Sequence, residues 1–373
     1  MKFLWFSWKD IHHPEAGGAE KVMHELSKRL LREGHEVTVL TARYTGASRQ
    51  DEIDGVKIIR IGKSRYLHSF QALLYYLFHL RHRFDVVVEV VNTAPYFGIF
   101  FKGKAKAVLL YHQLAREIWF LEASFPLNYL GYYLLEPGAT KLLAASHASV
   151  VTVSNSTKQD LLRYGFNSQN VHIISEGTHI APVESLKVAN SAKFELPTVL
   201  SFGALRSMKR TLDQVKAFEV AKATIPELQM KIAGNDKGAY GTQVKAYIQK
   251  SRFKESIEVL GRVSDEQKLE LMRKASCIVV TSIKEGWGLI VTEANSQGTP
   301  AIVYNVDGLR DAVKDGISGR VTASTPEALA AGMCEVLQDE NQYKALQAGA
   351  YEMSKAITFE QSYQDLKKVL ELA

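Results

Sequence analysis

Cys277-Ile278-Val279-Val280-Thr281 runs directly into Ser282-Ile283-Lys284-Glu285-Gly286-Trp287-Gly288-Leu289-Ile290-Val291-Thr292-Glu293-Ala294. The first five residues are mostly apolar and β-branched, as a strand buried on both faces requires. Two glycines and a tryptophan break the run, and a helical pattern opens near Gly288. Strand, glycine-bearing loop and helix in that order make one βα unit of a parallel sheet.

The same alternation extends outward in both directions. Strands are expected at 2–5, 36–41, 56–61, 85–90, 107–111, 149–153 and 171–175, then at 198–202, 229–233, 258–261, 277–281 and 301–304. The fold class is α/β. Its alternation pauses at 181–197, a polar stretch bracketed by Pro182 and Pro197, which reads as a linker. That divides the 373 residues into domains 1–180 and 198–357, with a last helix, 358–373, returning to the first. Each half has the pattern of a doubly wound, Rossmann-like domain, whose ligands sit beyond the carboxyl ends of the strands.

Composition excludes little. Apolar residues at 46% and charged residues at 23% are ordinary for a globular chain. No apolar run approaches the roughly 20 residues of a membrane span. Cys277 and Cys334 fit no metal or redox spacing, so a reducing cytoplasm is the simplest location. The net charge of +6 suits an acidic partner without naming one. No nucleic-acid module and no concentrated basic run occur.

Three segments carry candidate chemistry. Pro14-Glu15-Ala16-Gly17-Gly18-Ala19-Glu20 follows the first strand and opens a helix expected to end by Gly34. Paired glycines there admit a ligand close to the backbone, and a helix N-terminus attracts an anion. The spacing is not G-x-G-x-x-G, which argues against a nicotinamide dehydrogenase. In the opening stretch, the amides of Leu289 and Ile290 suit a diphosphate, while Glu285 and Glu293 suit the hydroxyls of a sugar. A loop-end Glu285 and a Glu293 salt bridge are the plainer alternatives. Third, His112 in Tyr111-His112-Gln113 stands at a strand's carboxyl end, where a neutral imidazole can accept a proton.

Glu-x7-Glu within E-G-W-G-L-x-V-x-E-A resembles the signature of a large retaining glycosyltransferase family with the GT-B fold, two Rossmann-like domains facing a cleft. The family includes sucrose synthases, glycogen synthase relatives and lipid and polysaccharide mannosyltransferases. The similarity continues through P-E-A-G-G-A-E, T-V-S-N-S-T-K-Q-D-L from Thr152, I-S-E-G from Ile174, S-F-G-A-L from Ser201, L-G-R-V-S-D-E from Leu260, G-T-P-A-I-V from Gly298, Val306-Asp307-Gly308 and Asp315-Gly316-Ile317-Ser318-Gly319. It implies that Glu285 contacts the donor sugar and Glu293 the ribose. Gly17 and Gly18 would lie near the diphosphate, which Lys209 neutralises. His112 would touch the sugar near the reacting centre. Gly234, Asn235, Arg262 and Val263 would hold the base, and Gly286, Trp287 and Gly288 would shape the donor loop. The family's usual arginine is absent: Ala204 stands in its place, leaving Arg206 or Arg210 to compensate.

The implied partners are a UDP or GDP sugar and a glycan or lipid-linked acceptor. No cofactor is expected. No metal is expected either, since the chain has no Asp-x-Asp and His12-His13 lacks a third ligand. A nucleotide-sugar-binding subunit without activity is the rival from another class, motivated by Ala204. Two aromatic stretches, 65–83 and 125–135, are expected as helices packed on the first sheet, with peripheral contact at the inner membrane face as the second reading. Oligomeric state is not legible.

Overall fold

The computed structural model describes residues 1–62, 67–178 and 180–372. It divides the chain into two units: Met1–Gly177 with Phe359–Ala373, and Thr178–Thr358.

The first unit is built on eight strands: β1 (Lys2–Phe6), β2 (Glu36–Ala42), β3 (Gln50–Ile53), β4 (Val56–Ile61), β5 (Val86–Val91), β6 (Lys106–Tyr111), β7 (Ser149–Thr152) and β8 (Val171–Ile173). Their order is β3-β4-β2-β1-β5-β6-β7-β8. All neighbours are parallel except β3, which pairs antiparallel with β4. β3 escaped the sequence reading because Gln-Asp-Glu-Ile is a polar edge strand with no apolar alternation. β5, Val-Val-Val-Glu-Val-Val, is buried along its whole length, as a strand covered on both faces must be.

The helix Gly18–Arg32 packs Val22, Met23, Leu26 and Leu30 inward, at the spacing of one helical face. It opens with the Glu20 carboxylate accepting the Gly17 amide at 2.6 Å. It ends at Gly34, whose φ of +82° ordinary side chains disfavour. The final helix, Phe359–Leu370, belongs to this unit. Its Ser362 hydroxyl donates to Ser175 O and accepts from Gly177 N, and Lys367 pairs with Glu33 at 3.0 Å.

The second unit has six strands: β9 (Thr198–Phe202), β10 (Gln229–Ala233), β11 (Ile257–Gly261), β12 (Cys277–Val280), β13 (Ala301–Tyr304) and β14 (Gly319–Thr322). They are all parallel, in the order β11-β10-β9-β12-β13-β14. The expected linker 181–197 is instead part of this unit. Val183 donates from its amide to Ser296 O, and its carbonyl accepts the Tyr351 hydroxyl at 2.6 Å. A short helix, Leu186–Ser191, follows, and the Lys193 ammonium then binds Ala275 O, Gly298 O and Thr299 Oγ1. Its polar composition concealed the few residues (Val183, Leu186, Ala189) that anchor it beside Tyr351.

The first aromatic stretch packs on the sheet by one face, as expected, with Ala72, Tyr76 and Leu80 against Leu4, Phe6 and Val87. Residues 63–66, including Arg65 and Tyr66 of the first stretch, lie outside the described residues. In the rest of it His68, Ala72, Tyr76 and Leu80 are buried, while Phe70, Leu74 and Phe78 are exposed. In the second, Phe125, Tyr129, Tyr133 and Leu134 are exposed. Among the described residues no helix is long and apolar enough to cross a membrane.

One buried charge in the first sheet has a measurable consequence. Glu89 on β5 is fully buried and accepts the amides of Tyr96 and Phe97 at 2.5 and 2.9 Å. Burial pushes its carboxyl up to about 7. Its folded value therefore lies above its unfolded one. The group contributes stability at acid pH and loses that contribution as pH rises through about 7. Glu89→Gln keeps an oxygen for both amides and cannot ionise. Its melting temperature should exceed that of the natural chain near about pH 8, with the gap closing towards about pH 5. A pH-independent difference in scanning calorimetry would contradict this.

Candidate functional site

In the second unit, the loop after β9 and the loop after β12 are stitched together. The Thr281 hydroxyl donates to Lys209 O at 2.8 Å and itself accepts from Gln214 Nε2 at 2.8 Å. The Ile283 amide donates to Met208 O at 2.9 Å. These bonds bring Lys209 and Glu285 into direct ionic contact, although they are 76 positions apart. The Ser282 hydroxyl donates to the same Glu285 oxygen at 2.5 Å.

The backbone of Glu285 is held from the other side. Its amide donates to Asp307 O at 3.0 Å. Its carbonyl lies against Gly308, where a Cβ would run into that oxygen. Gly308 also has a φ of +79°, so both the space and the conformation call for glycine. Asp307 forms ion pairs with Arg310 and with buried Lys284, the latter at 3.0 Å. Val306-Asp307-Gly308 thus serves to fix the Glu285 loop, and Lys284 is an anchoring residue that the sequence reading passed over.

Gly286 and Trp287 continue that loop. The Trp287 indole donates to Thr292 Oγ1 at 2.9 Å, folding the ring back onto the helix it precedes. Gly288, with φ of +102°, caps the helix Leu289–Ser296. The amides of Leu289 and Ile290 lie in its first turn, where an α-helix provides no internal acceptor. Glu293 is buried one turn further on and pairs with Lys268 at 2.6 Å. The plainer expectation for Glu293, a salt bridge, is therefore met, with a partner on the neighbouring helix Asp265–Lys274.

The remaining second-unit candidates also sit at strand ends. Gly234 follows β10 with φ of +143°, pressed so closely on Gly203 that a Cβ would strike the Gly203 carbonyl. The Leu205 amide donates to Asn235 O at 2.8 Å, which joins the loops after β9 and β10. Arg262 and Val263 follow β11, with Arg262 exposed. Arg210 is committed elsewhere: it pairs with Asp213 at 2.6 Å, donates to Ser324 O and lies over the Tyr304 ring. Arg206 is exposed at the start of the turn Ser207–Lys209. Of the two arginines expected to compensate for Ala204, Arg206 is the more exposed.

In the first unit, His112 follows β6 and is buried. Its Nδ1 lies 2.8 Å from Glu176 Oε1. Facing a carboxylate, Nδ1 is the donor of this pair, and in a neutral imidazole Nε2 is then the acceptor nitrogen. That Nε2 is buried and has no hydrogen-bond partner among the described residues. The His112 carbonyl accepts the Thr157 hydroxyl at 3.1 Å, and Ser154 caps the helix Asn155–Arg163 through the Thr157 amide. The Thr-Val-Ser-Asn-Ser-Thr run therefore positions the histidine. Glu176, within the quoted Ile-Ser-Glu-Gly, was missed as a functional residue, since nothing local announces a partner 64 positions away.

Gly17 and Gly18 stand where β1 passes into its helix. The φ of Gly17 is −130°, which any residue adopts, and a Cβ there would meet only Glu20 Oε2 at 3.6 Å. Neither conformation nor internal packing requires glycine at 17. Among the described residues no group of three His, Cys, Asp or Glu side chains is arranged to hold a metal ion.

Residues 16–181 match the profile described as Glycosyltransferase Family 4, and residues 183–353 that described as Glycosyl transferases group 1. The D-inositol 3-phosphate glycosyltransferase of Xylanimonas cellulosilytica is 25% identical, the match covering 93% of this chain and 90% of that one. Sucrose-phosphate synthase from Thermosynechococcus elongatus superposes with a TM-score of 0.79 at 18% identity, over 99% of this chain and 98% of its own. HepE from Anabaena, solved with UDP and glucose, gives 0.74 at 16% identity over the full length of both. The chain therefore belongs to the GT-B glycosyltransferases of family 4 and group 1, and what it moves is a sugar carried on a nucleotide.

Proposed function

We propose that this chain is a retaining hexosyltransferase of the cytoplasm. It takes a hexose-type sugar from UDP or GDP and places it on a glycan or lipid-linked acceptor, in polysaccharide or glycolipid assembly, without a metal. The observation that carries this reading is the Lys209–Glu285 pair, fixed by Thr281, Ser282 and Gly308 beside the helix start at Leu289. The two groups neutralise each other when no donor is bound. A donor substitutes for both partners at once: its diphosphate takes the ammonium, and its sugar hydroxyls donate to the carboxylate. The Leu289 and Ile290 amides add partial positive charge to the same phosphates. Glu293 exchanges Lys268 for the ribose hydroxyls.

The acceptor oxygen forms a bond to the anomeric carbon on the face from which the diphosphate oxygen departs. The acceptor's proton passes to the departing phosphate, so the products are the new glycoside and a nucleoside diphosphate. The protein contributes orientation and charge stabilisation. His112 accepts a sugar hydroxyl at Nε2, and Glu176 is its positioning residue. Gly17 leaves the space of a side chain to the donor. Arg206 supplies the second positive charge that Ala204 does not. A binding subunit without activity is the second reading, and Ala204 alone favours it.

The first test is a thermal-shift panel of UDP, GDP, ADP and their sugars without added metal. A single nucleotide class should raise the melting temperature. With that donor, Glu285→Ala should retain nucleotide binding and lose about 100-fold or more in donor turnover. A shift with no turnover at all in the natural chain favours the binding subunit. Unchanged turnover in Glu285→Ala overturns the role of Glu285.

Glu176→Ala should lower kcat about tenfold with little change in KM, while Glu176→Gln, whose oxygen still accepts from Nδ1–H, recovers part of the loss. Imidazole nitrogen shifts by NMR read the tautomer directly. His112 should be the Nδ1–H form in the natural chain and a mixture in Glu176→Ala. An Nε2–H form in the natural chain removes the assignment.

A further inference from the structure

The helical stretch after β4 exposes an apolar face that the first unit leaves uncovered. Phe70, Leu74 and Phe78 are spaced four apart, with Leu67 three before them. That spacing puts all four on one side of a helix. Phe78 is 79% exposed and Phe70 is 61% exposed. The opposite side, His68, Ala72, Tyr76 and Leu80, is buried against the sheet, so the segment is anchored with this face outward.

A second element joins the patch. The Tyr76 hydroxyl and the Arg81 Nε both donate to Phe101 O, at 3.4 and 3.2 Å. They hold the turn Gly98–Phe101 at the end of the helical stretch, with Phe100 and Phe101 exposed. The fringe is basic: Arg81, Arg83 and Lys104 are exposed beside it. No Asp or Glu occurs in residues 67–84 or 97–104. The other exposed aromatic cluster differs. Residues 117–140 contain Glu117, Glu122 and Glu136 with no Lys or Arg, the adjoining Arg116 is held over the Tyr132 ring, and Phe120 meets Tyr129 edge-on and Tyr132 at a tilt, at 5.2 and 5.0 Å.

We propose that the face formed by Phe70, Leu74, Phe78, Phe100 and Phe101 docks on an anionic lipid bilayer. Phenylalanine side chains on an in-plane helix bury among the acyl chains. The basic fringe gains about 1 kcal/mol per Lys or Arg from an anionic surface. A second copy of this chain would bring two fringes of the same sign together, so charge favours the lipid. The proposal does not depend on the sugar-transfer reading, because neither face residue nor fringe residue belongs to the donor site.

The test is flotation of the full chain with phosphatidylcholine vesicles, with and without phosphatidylglycerol. The natural chain should float with the anionic vesicles and be released by salt. Phe70→Ser with Phe78→Ser should cut the bound fraction about tenfold, and Arg83→Glu with Lys104→Glu should abolish the preference for phosphatidylglycerol. Tyr133→Ser should bind as the natural chain does. Should the serine variant fail to fold, Phe78→Trp gives an independent measurement: its emission should shift to the blue on anionic vesicles alone. Absence of flotation, equal flotation of the serine variant, or a solution dimer that the serine variant dissociates without any vesicle binding would each overturn the proposal.

Discussion

A parallel sheet covered on both faces excludes polar chemistry from its strands, and that exclusion decides where everything else lies. β5, β6, β9 and β12 are buried nearly throughout, so a side chain that must meet a ligand has only the carboxyl ends available. His112 follows β6, Lys209 follows β9, Gly234 follows β10, Arg262 follows β11 and Glu285 follows β12. Glu89 is the exception that illustrates the rule. Placed within β5, it keeps two backbone amides as partners and has its ionisation pushed towards neutral pH.

Strand ends alone do not bring loops together. The second unit does so by close backbone contact, with glycine where a Cβ would collide. Gly234 on Gly203 joins the loops after β10 and β9, and Gly308 on the Glu285 carbonyl joins the loops after β13 and β12. Thr281 ties the β9 and β12 loops by hydrogen bonds to Lys209 and Gln214. Four loops thus share one framework, and Lys209 and Glu285 meet without either needing a long reach.

Sequence pattern reveals what is local. The run from Cys277 to Ala294 declares a strand, a loop and a helix by composition alone, and β12 and the helix Leu289–Ser296 follow it closely. β3 and the anchored stretch 181–197 were hidden because their stability comes from neighbours rather than from their own apolar content. The same limit applies at the sites. Glu285 stands in a recognisable motif, whereas Lys284, Lys268 and Glu176 acquire meaning only through partners at Asp307, Glu293 and His112. Folding back on the strands creates those pairs, and no spacing in the chain encodes them.

The Ala204 departure is best weighed by charge. A departing diphosphate needs compensation in a site from which water is excluded, where a fixed dipole or ion counts for more than in solution. The chain retains Lys209 and a helix start, and Arg210 is held by Asp213, Ser324 and Tyr304. Drawing Arg210 to a phosphate would break an ion pair and a ring contact, whereas Arg206 is already exposed at the start of the turn that carries Lys209. An exposed arginine supplies charge at the cost of ordering its side chain. On the proposed reading, Arg206 would be recruited on binding where the family presets an arginine. Such an exchange would fall on the affinity for the diphosphate and would leave the Glu285 loop, held by Asp307 and Gly308, as it is.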